Sequence, residues 1–127
     1  MIVEGQVVLF RFPRTDQETG KLRPALVLRR APGKFNDWLI CMITSRVHQM
    51  VAELDDKISP EDADFSESGL KIPSIVRASR LAVVDGNILE GSLGQIGNDR
   101  LFRFRRSVAQ WIQGPRKKLQ PQPATSN

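Results

Sequence analysis

The chain has 127 residues and contains no tyrosine, one cysteine and one histidine. A lone cysteine, Cys41, closes no internal disulfide. That excludes a disulfide-stapled scaffold and points to a reducing, cytoplasmic setting. Its neighbours Trp38, Leu39, Ile40, Met42 and Ile43 are apolar, so the thiol is expected to be buried and inert. His48 has no partner at metal-ligand spacing, so no metal and no other cofactor is expected. A Ser-His-Asp or Cys-His triad lacks its parts for the same reason. No apolar run approaches the ~20 residues that cross a bilayer. Met1 to Gly5 leads straight into a strand pattern without the features of a signal peptide. Carboxylates do gather between Glu53 and Glu67, but without the alternating ligands of a calcium loop. An acidic, solvated connection is expected there.

What is present is positive charge, unevenly placed. The formal net charge is +5. Arg100, Arg103, Arg105, Arg106, Arg116, Lys117 and Lys118 face only Asp99 in the last quarter of the chain, whereas the rest nearly balances. Such a segment fits a polyanionic partner, nucleic acid first, and equally a solvated helix face with a basic tail.

Hydrophobic patterning predicts mostly short strands. Gln6 to Phe12 alternates, with Val7 and Leu9 on one face and Val8, Phe10 and Phe12 on the other. Arg23 to Leu28 and Trp38 to Thr44 follow as strands, with a possible fourth at Val51 to Leu54. Ser59-Pro60-Glu61-Asp62 has the form of a helix start, giving a turn or two to about Phe65. Ser74 to Ala78, Leu81 to Val84 and Ile88 to Glu90 complete the strands. Leu101, Phe104, Val108, Trp111 and Ile112 recur at helical spacing behind a capping Asn98, with Arg100, Arg103 and Arg106 on the outer face. Gly114-Pro115 stops this helix. Residues 1–113 therefore read as one domain, and 114–127, basic and then Pro/Gln/Ser-rich, as a disordered tail. Strands first and helix last predict a mainly β fold, a small SH3-like barrel closed by a C-terminal helix.

The segment Gly20-Lys21-Leu22-Arg23-Pro24-Ala25-Leu26-Val27-Leu28 is the most informative. A continuous apolar run bounded by charge is a strand covered on both faces. Proline fits the first residue of such a strand and holds Arg23 extended. A permanent charge does not enter a core, so the guanidinium belongs at the rim. There it is either a plain surface group or a holder of carboxylate or phosphate.

In order along the chain come Gly5-x-Val7-Val8-Leu9, Phe12-Pro13-x-Thr15-Asp16, the Arg23-Pro24 segment, Ile43-Thr44-Ser45 and Gly69-Leu70-x-x-Pro73-Ser74-x-Val76-Arg77, then Leu81 and Gly91-x-Leu93-Gly94. This succession, from about Ile2 to Ile112, resembles the MazF/PemK family of toxins from bacterial toxin–antitoxin pairs. The resemblance implies a homodimer that cleaves single-stranded RNA sequence-selectively without a metal. It also implies neutralisation by a small acidic antitoxin, and operator DNA as a further partner through the antitoxin complex. It assigns catalytic roles to Arg23, Thr44 and Arg77 and sets the Thr15-Asp16 loop beside the same cleft; Ser45, Arg46 and Ser79 are further candidates for substrate binding. The chain departs from one branch of the family, which has an acid two positions after the second arginine; Ser79 stands there. That branch's histidine after the first strand is also absent. A non-catalytic member that binds nucleic acid or inhibits DNA gyrase is the alternative.

The chemistry of such cleavage is definite. The substrate's 2′-hydroxyl attacks the adjacent phosphorus, a dianionic phosphorane forms, and the 5′-oxygen leaves. Arg23 suits the phosphorane, Thr44 a phosphate oxygen, Arg77 a second clamp and Asp16 the base. Each has a plainer reading: Thr44 as a β-former or local cap, Asp16 as a turn residue, Arg77 as a cross-strand partner. Phe12 and Phe35 are the candidates for base stacking.

Overall fold

The computed structural model describes residues 1–11 and 21–115. Eight elements follow in order: β1 (Gln6–Arg11), β2 (Leu22–Arg30), β3 (Asp37–Thr44), β4 (Asp56–Ile58), α1 (Phe65–Ser68), β5 (Ser74–Asp85), β6 (Ser92–Gln95) and α2 (Asn98–Gln113). The strands form one six-stranded sheet in the order β4-β5-β3-β2-β1-β6. Every pairing is antiparallel. The sheet is curled into a half-barrel and carries α2 on one face, the form taken by the expected barrel. Among the described residues no helix is long and apolar enough to cross a membrane.

Two cores lie on opposite faces of the sheet. Val7, Leu26, Leu28, Cys41, Ile43 and Val76 face Leu101, Phe104 and Val108 of α2. Val8, Phe10, Ala25, Val27, Trp38 and Ile40 form the other. Strand alternation assigns these sets, so β2 is buried on both faces as its unbroken apolar run requires. Cys41 is fully buried, and that burial pushes its thiol pKa well up. Pro24 is the third residue of β2, not its first. It pairs with Leu9 of β1, while the pairing with β3 begins one residue later at Ala25. Its missing donor therefore falls outside the β2–β3 ladder.

β4 and β6 end the hydrogen-bonded order, so the barrel is closed there by α1 rather than by a ladder. Backbones meet where α1 reaches β6. A Cβ on Gly94 would lie 2.0 Å from the Glu67 carbonyl oxygen, and one on Gly69, at φ +77°, 2.1 Å from that of Leu93. Gly94→Ala is expected to cost about 1–3 kcal/mol by overpacking. Gly97→Ala, whose Cβ would meet Asp64 at an ordinary 3.4 Å, is expected to cost far less. Urea unfolding of the two variants makes the comparison.

Several boundaries differ from expectation. Val51 to Leu54 is a turn, not a strand: the amides of Leu54 and Asp55 donate to the Val51 carbonyl, and Val51 donates to the Asp55 carboxylate. A side chain satisfying local backbone in this way competes with strand pairing. Likewise Asp62 accepts from the Ser59 amide at 2.8 Å, and the helix starts only at Phe65. The two strands expected between Ser74 and Val84 are one, and Ile88 to Glu90 is not a strand. The last strand is instead β6, polar and glycine-containing, held by the free edge of β1. Asn98 is the first helical residue, not the cap. Trp111 and Ile112 lie on the apolar stripe yet are 47% and 66% exposed, because the helix runs past the core beneath it.

Candidate functional site

β2, β3 and β5 lie side by side. Ala25 pairs with Met42, and two residues further on the same register sets Arg23 across from Thr44. Thr44 pairs with Ile75, and Arg77 follows two residues later on β5. Opposed residues, and residues two apart, share a face. Arg23, Thr44 and Arg77 therefore rise from one face of the sheet, the one that does not carry α2. Strand spacing places the two arginines on strands about 10 Å apart.

Arg23 is half-buried at the start of β2, and its side chain makes no hydrogen bond or ion pair among the described residues. Thr44 is only 4% exposed. Its Oγ1 accepts from the Arg46 amide at 3.1 Å, the local cap expected at a strand end. The hydroxyl proton remains available, since a threonine both accepts and donates. Ser45, Arg46, His48 and Ser79 are exposed. Thr15 and Asp16 lie outside the described residues, as does Phe12. Phe35 is exposed on the β2–β3 connection, at the far end of the strands from Arg23.

Arg77 sits in an irregular stretch of β5. Between Ile43↔Val76 and Cys41↔Leu81, β5 advances five residues while β3 advances two. Such bulges re-aim side chains. The Arg77 side chain is 12% exposed, with Nε 3.1 Å from Oδ2 of the fully buried Asp55. That contact is an ion pair without hydrogen-bond alignment. Nη1 donates to Oε1 of Gln49 at 3.1 Å. Neither Asp55 nor Gln49 is legible in the sequence, because both stand on turns whose path no periodicity sets.

The adjacent carboxylate serves the other face. Asp56 pairs in register with Val76, so it projects toward α2, where Asp55 does not. The acidic connection is solvated at Glu53, Glu61 and Glu67, but Asp56, Asp62 and Asp64 surround Arg100, which was expected on an outer helix face and is buried instead. Arg100 Nε and Nη2 donate to Asp64 at 2.8 and 3.0 Å. Nη1 donates to Asp56 at 2.6 Å and to the Lys57 carbonyl at 2.8 Å, and Nη2 to Asp62 at 2.9 Å. Asp64 also accepts from the Gly97 amide at 2.9 Å. Arg103 holds Asp56 from outside, and Arg105 donates to the Leu28 carbonyl and to Glu4. The helix arginines are thus largely spent on the fold. The cleft of about 460 Å³ beside Arg100 is lined by Asp62, Asp64 and Arg103, which are ion-paired within the cluster, and by Lys57 and Asp99, whose side chains make no ion pair among the described residues.

The hydrogen bond from Arg100 holds the Asp64 carboxyl at about 2, below the ordinary 3.8, against the opposing effect of burial. The Ser59 amide and Arg100 lower Asp62 as well. A depressed carboxylate stabilises the fold above its unfolded pKa and loses that contribution as pH falls through the folded one. Stability is therefore expected to drop by about 2 kcal/mol between roughly pH 4 and pH 2 from Asp64 alone. Urea midpoints across that range measure it, and Asp64→Asn is expected to flatten the slope.

A sequence-family model described as PemK-like, MazF-like toxin of type II toxin-antitoxin system matches residues 4–112. No curated protein sequence matches. Solved structures share the fold. A mycobacterial endoribonuclease in complex with its cognate antitoxin superposes with TM-score 0.63 at 15% identity, covering 92% of this chain and 100% of its own. The Mycobacterium tuberculosis toxin MazF-mt6 gives 0.62 at 15%, covering 85% and 96%. The MazE-MazF complex of Deinococcus radiodurans gives 0.62 at 24%, covering 86% and 93%.

Proposed function

Because the chain belongs to the PemK-like, MazF-like toxin family of type II toxin–antitoxin systems, we propose that it inhibits growth as a metal-independent endoribonuclease on single-stranded RNA. One observation carries this reading: Arg23 is a half-buried guanidinium with no protein partner among the described residues, on the face that also bears Thr44 and Arg77. A rigid cation left without a counterion matches an anion that arrives with the substrate.

Arg23 forks onto the non-bridging oxygens and stabilises the charge that develops on the phosphorane. Thr44 donates its hydroxyl proton to a phosphate oxygen and aligns the phosphorus for the 2′-hydroxyl. Arg77 clamps the same phosphate from β5. It does not act as the acid, since a guanidinium keeps its proton at any working pH. Asp16 is the base. Thr15, Ser45, Arg46 and Ser79 contact the flanking nucleotides and set sequence preference. The proton that Asp16 takes from the 2′-hydroxyl is balanced by one delivered from solvent water to the departing 5′-oxygen, so the products are a 2′,3′-cyclic phosphate and a 5′-hydroxyl. An acidic antitoxin neutralises the homodimer.

The purified chain, free of antitoxin and in excess chelator, is expected to cut long RNA of mixed sequence at few sites. Each new 5′ end should accept phosphate from a polynucleotide kinase without prior dephosphorylation. RNA left intact across several sequences removes the reading. Intact RNA together with blocked supercoiling by gyrase would favour the non-catalytic alternative.

A further inference from the structure

We infer that Asp55 is a positioning residue for Arg77, setting the guanidinium that the ribonuclease reading places on the phosphate. Asp55 itself is closed to substrate. Its side chain has no exposed surface, and both oxygens are engaged. Oδ1 accepts from the Ala78 amide at 2.9 Å, and Oδ2 accepts from the Val51 amide at 2.9 Å. Oδ2 also lies 3.1 Å from Arg77 Nε. A carboxylate so enclosed neither takes a proton from RNA nor touches it. What it does is local. Ala78 lies inside the β5 irregularity, so one oxygen fixes the backbone of the bulge while the other fixes the side chain that the bulge aims. Gln49 takes Nη1 from the other side. Nη2 has no partner among the described residues, and the guanidinium plane is set by its other two nitrogens.

Ser79, exposed two residues after Arg77, bears no charge that could do this. The carboxylate that orients Arg77 comes from the turn before β4. A buried ion pair is seldom more stabilising than apolar groups of the same shape. Its consequence here is geometric, and small displacements of a catalytic group are costly: an error of about 1 Å can remove about a hundredfold in rate.

The inference rests on RNA cleavage as proposed above, and a double-mutant cycle separates the two. The full-length wild type, Asp55→Asn, Arg77→Ala and the double variant are assayed for kcat and KM on a labelled RNA fragment recovered as a cleavage site. Asp55→Asn is expected to lower kcat about tenfold or more, with KM little changed. Arg77→Ala is expected to lower kcat about a hundredfold. The double variant is expected to match Arg77→Ala, because a residue acting only through Arg77 has nothing left to position. Losses that multiply overturn the assignment. Should Asp55→Asn fail to fold, Gln49→Leu replaces it in the same cycle, its thermal midpoint confirming a native fold. A wild type that leaves RNA uncut removes the ribonuclease reading and this inference with it. An active wild type with multiplying losses overturns this inference alone.

Discussion

Arg23→Ala is expected to lower RNA cleavage by about a hundred- to a thousandfold in kcat, the scale on which one preorganised donor to a developing charge is felt. The fold should scarcely notice. The Arg23 side chain is bonded to nothing else among the described residues, so its truncation breaks no network and leaves no carboxylate unpaired. Truncation at the mouth of β2 also opens no cavity in either core, since neither includes it. The thermal midpoint should stay within a few degrees, as for a surface substitution of under about 0.5 kcal/mol. Arg23→Lys keeps the charge but gives a point cation on a flexible stem in place of a planar fork. It is expected to recover only part of the rate. Single-turnover cleavage of labelled RNA beside thermal melts decides the matter. An Arg23→Ala protein within threefold of the wild type would sink the assignment.

Arg100→Met is expected to have the opposite signature. It should destabilise the fold by about 3–5 kcal/mol, the scale of breaking a buried ion pair on one side. A guanidinium has five N–H donors, and here each has an acceptor: two on Asp64 and one each on Asp56, Asp62 and the Lys57 carbonyl. Although burial disfavours its charge, these bonds raise the Arg100 pKa above its ordinary value. Without the guanidinium, Asp64 keeps only the Gly97 amide, and the three carboxylates face one another. Against the 5–15 kcal/mol typical of a whole domain, that loss is severe. Arg100→Lys should fare little better, because three donors on a point charge do not span four acceptor groups. Urea titration measures both. A change below about 1 kcal/mol would mean that the cluster behaves like an exposed ion pair.

The elements that the sequence exposes are those whose burial is periodic. β1, β2, β3 and α2 each present an apolar pattern that only one local structure satisfies. Arg23 and Thr44 were legible because such strands end beside them. β6 was not: Ser92, Leu93, Gly94 and Gln95 carry no strand signal, and the segment pairs because β1 offers an edge. The joining of Ser74–Asp85 into one strand was hidden by its bulge, which breaks alternation where Arg77 stands. Arg100 misled for a different reason. A helical wheel reports only neighbours on the helix, whereas the partners that make its burial tolerable lie 36 to 44 residues earlier. Asp55 is silent in the sequence for the same cause, 22 residues from Arg77 and two from a turn residue, Glu53, at φ 71°.

Asp55 and Asp56, successive residues that point to opposite faces, tie two kinds of arginine to β4 and the turn that leads into it. The linkage that follows is reciprocal, as any coupling between two equilibria must be. A substitution that loosens the Asp56 side is expected to lower the population of chains in which Arg77 is aimed. Whatever grips Arg77 is expected to return the same free energy as added cohesion where the half-barrel has no ladder to hold it shut.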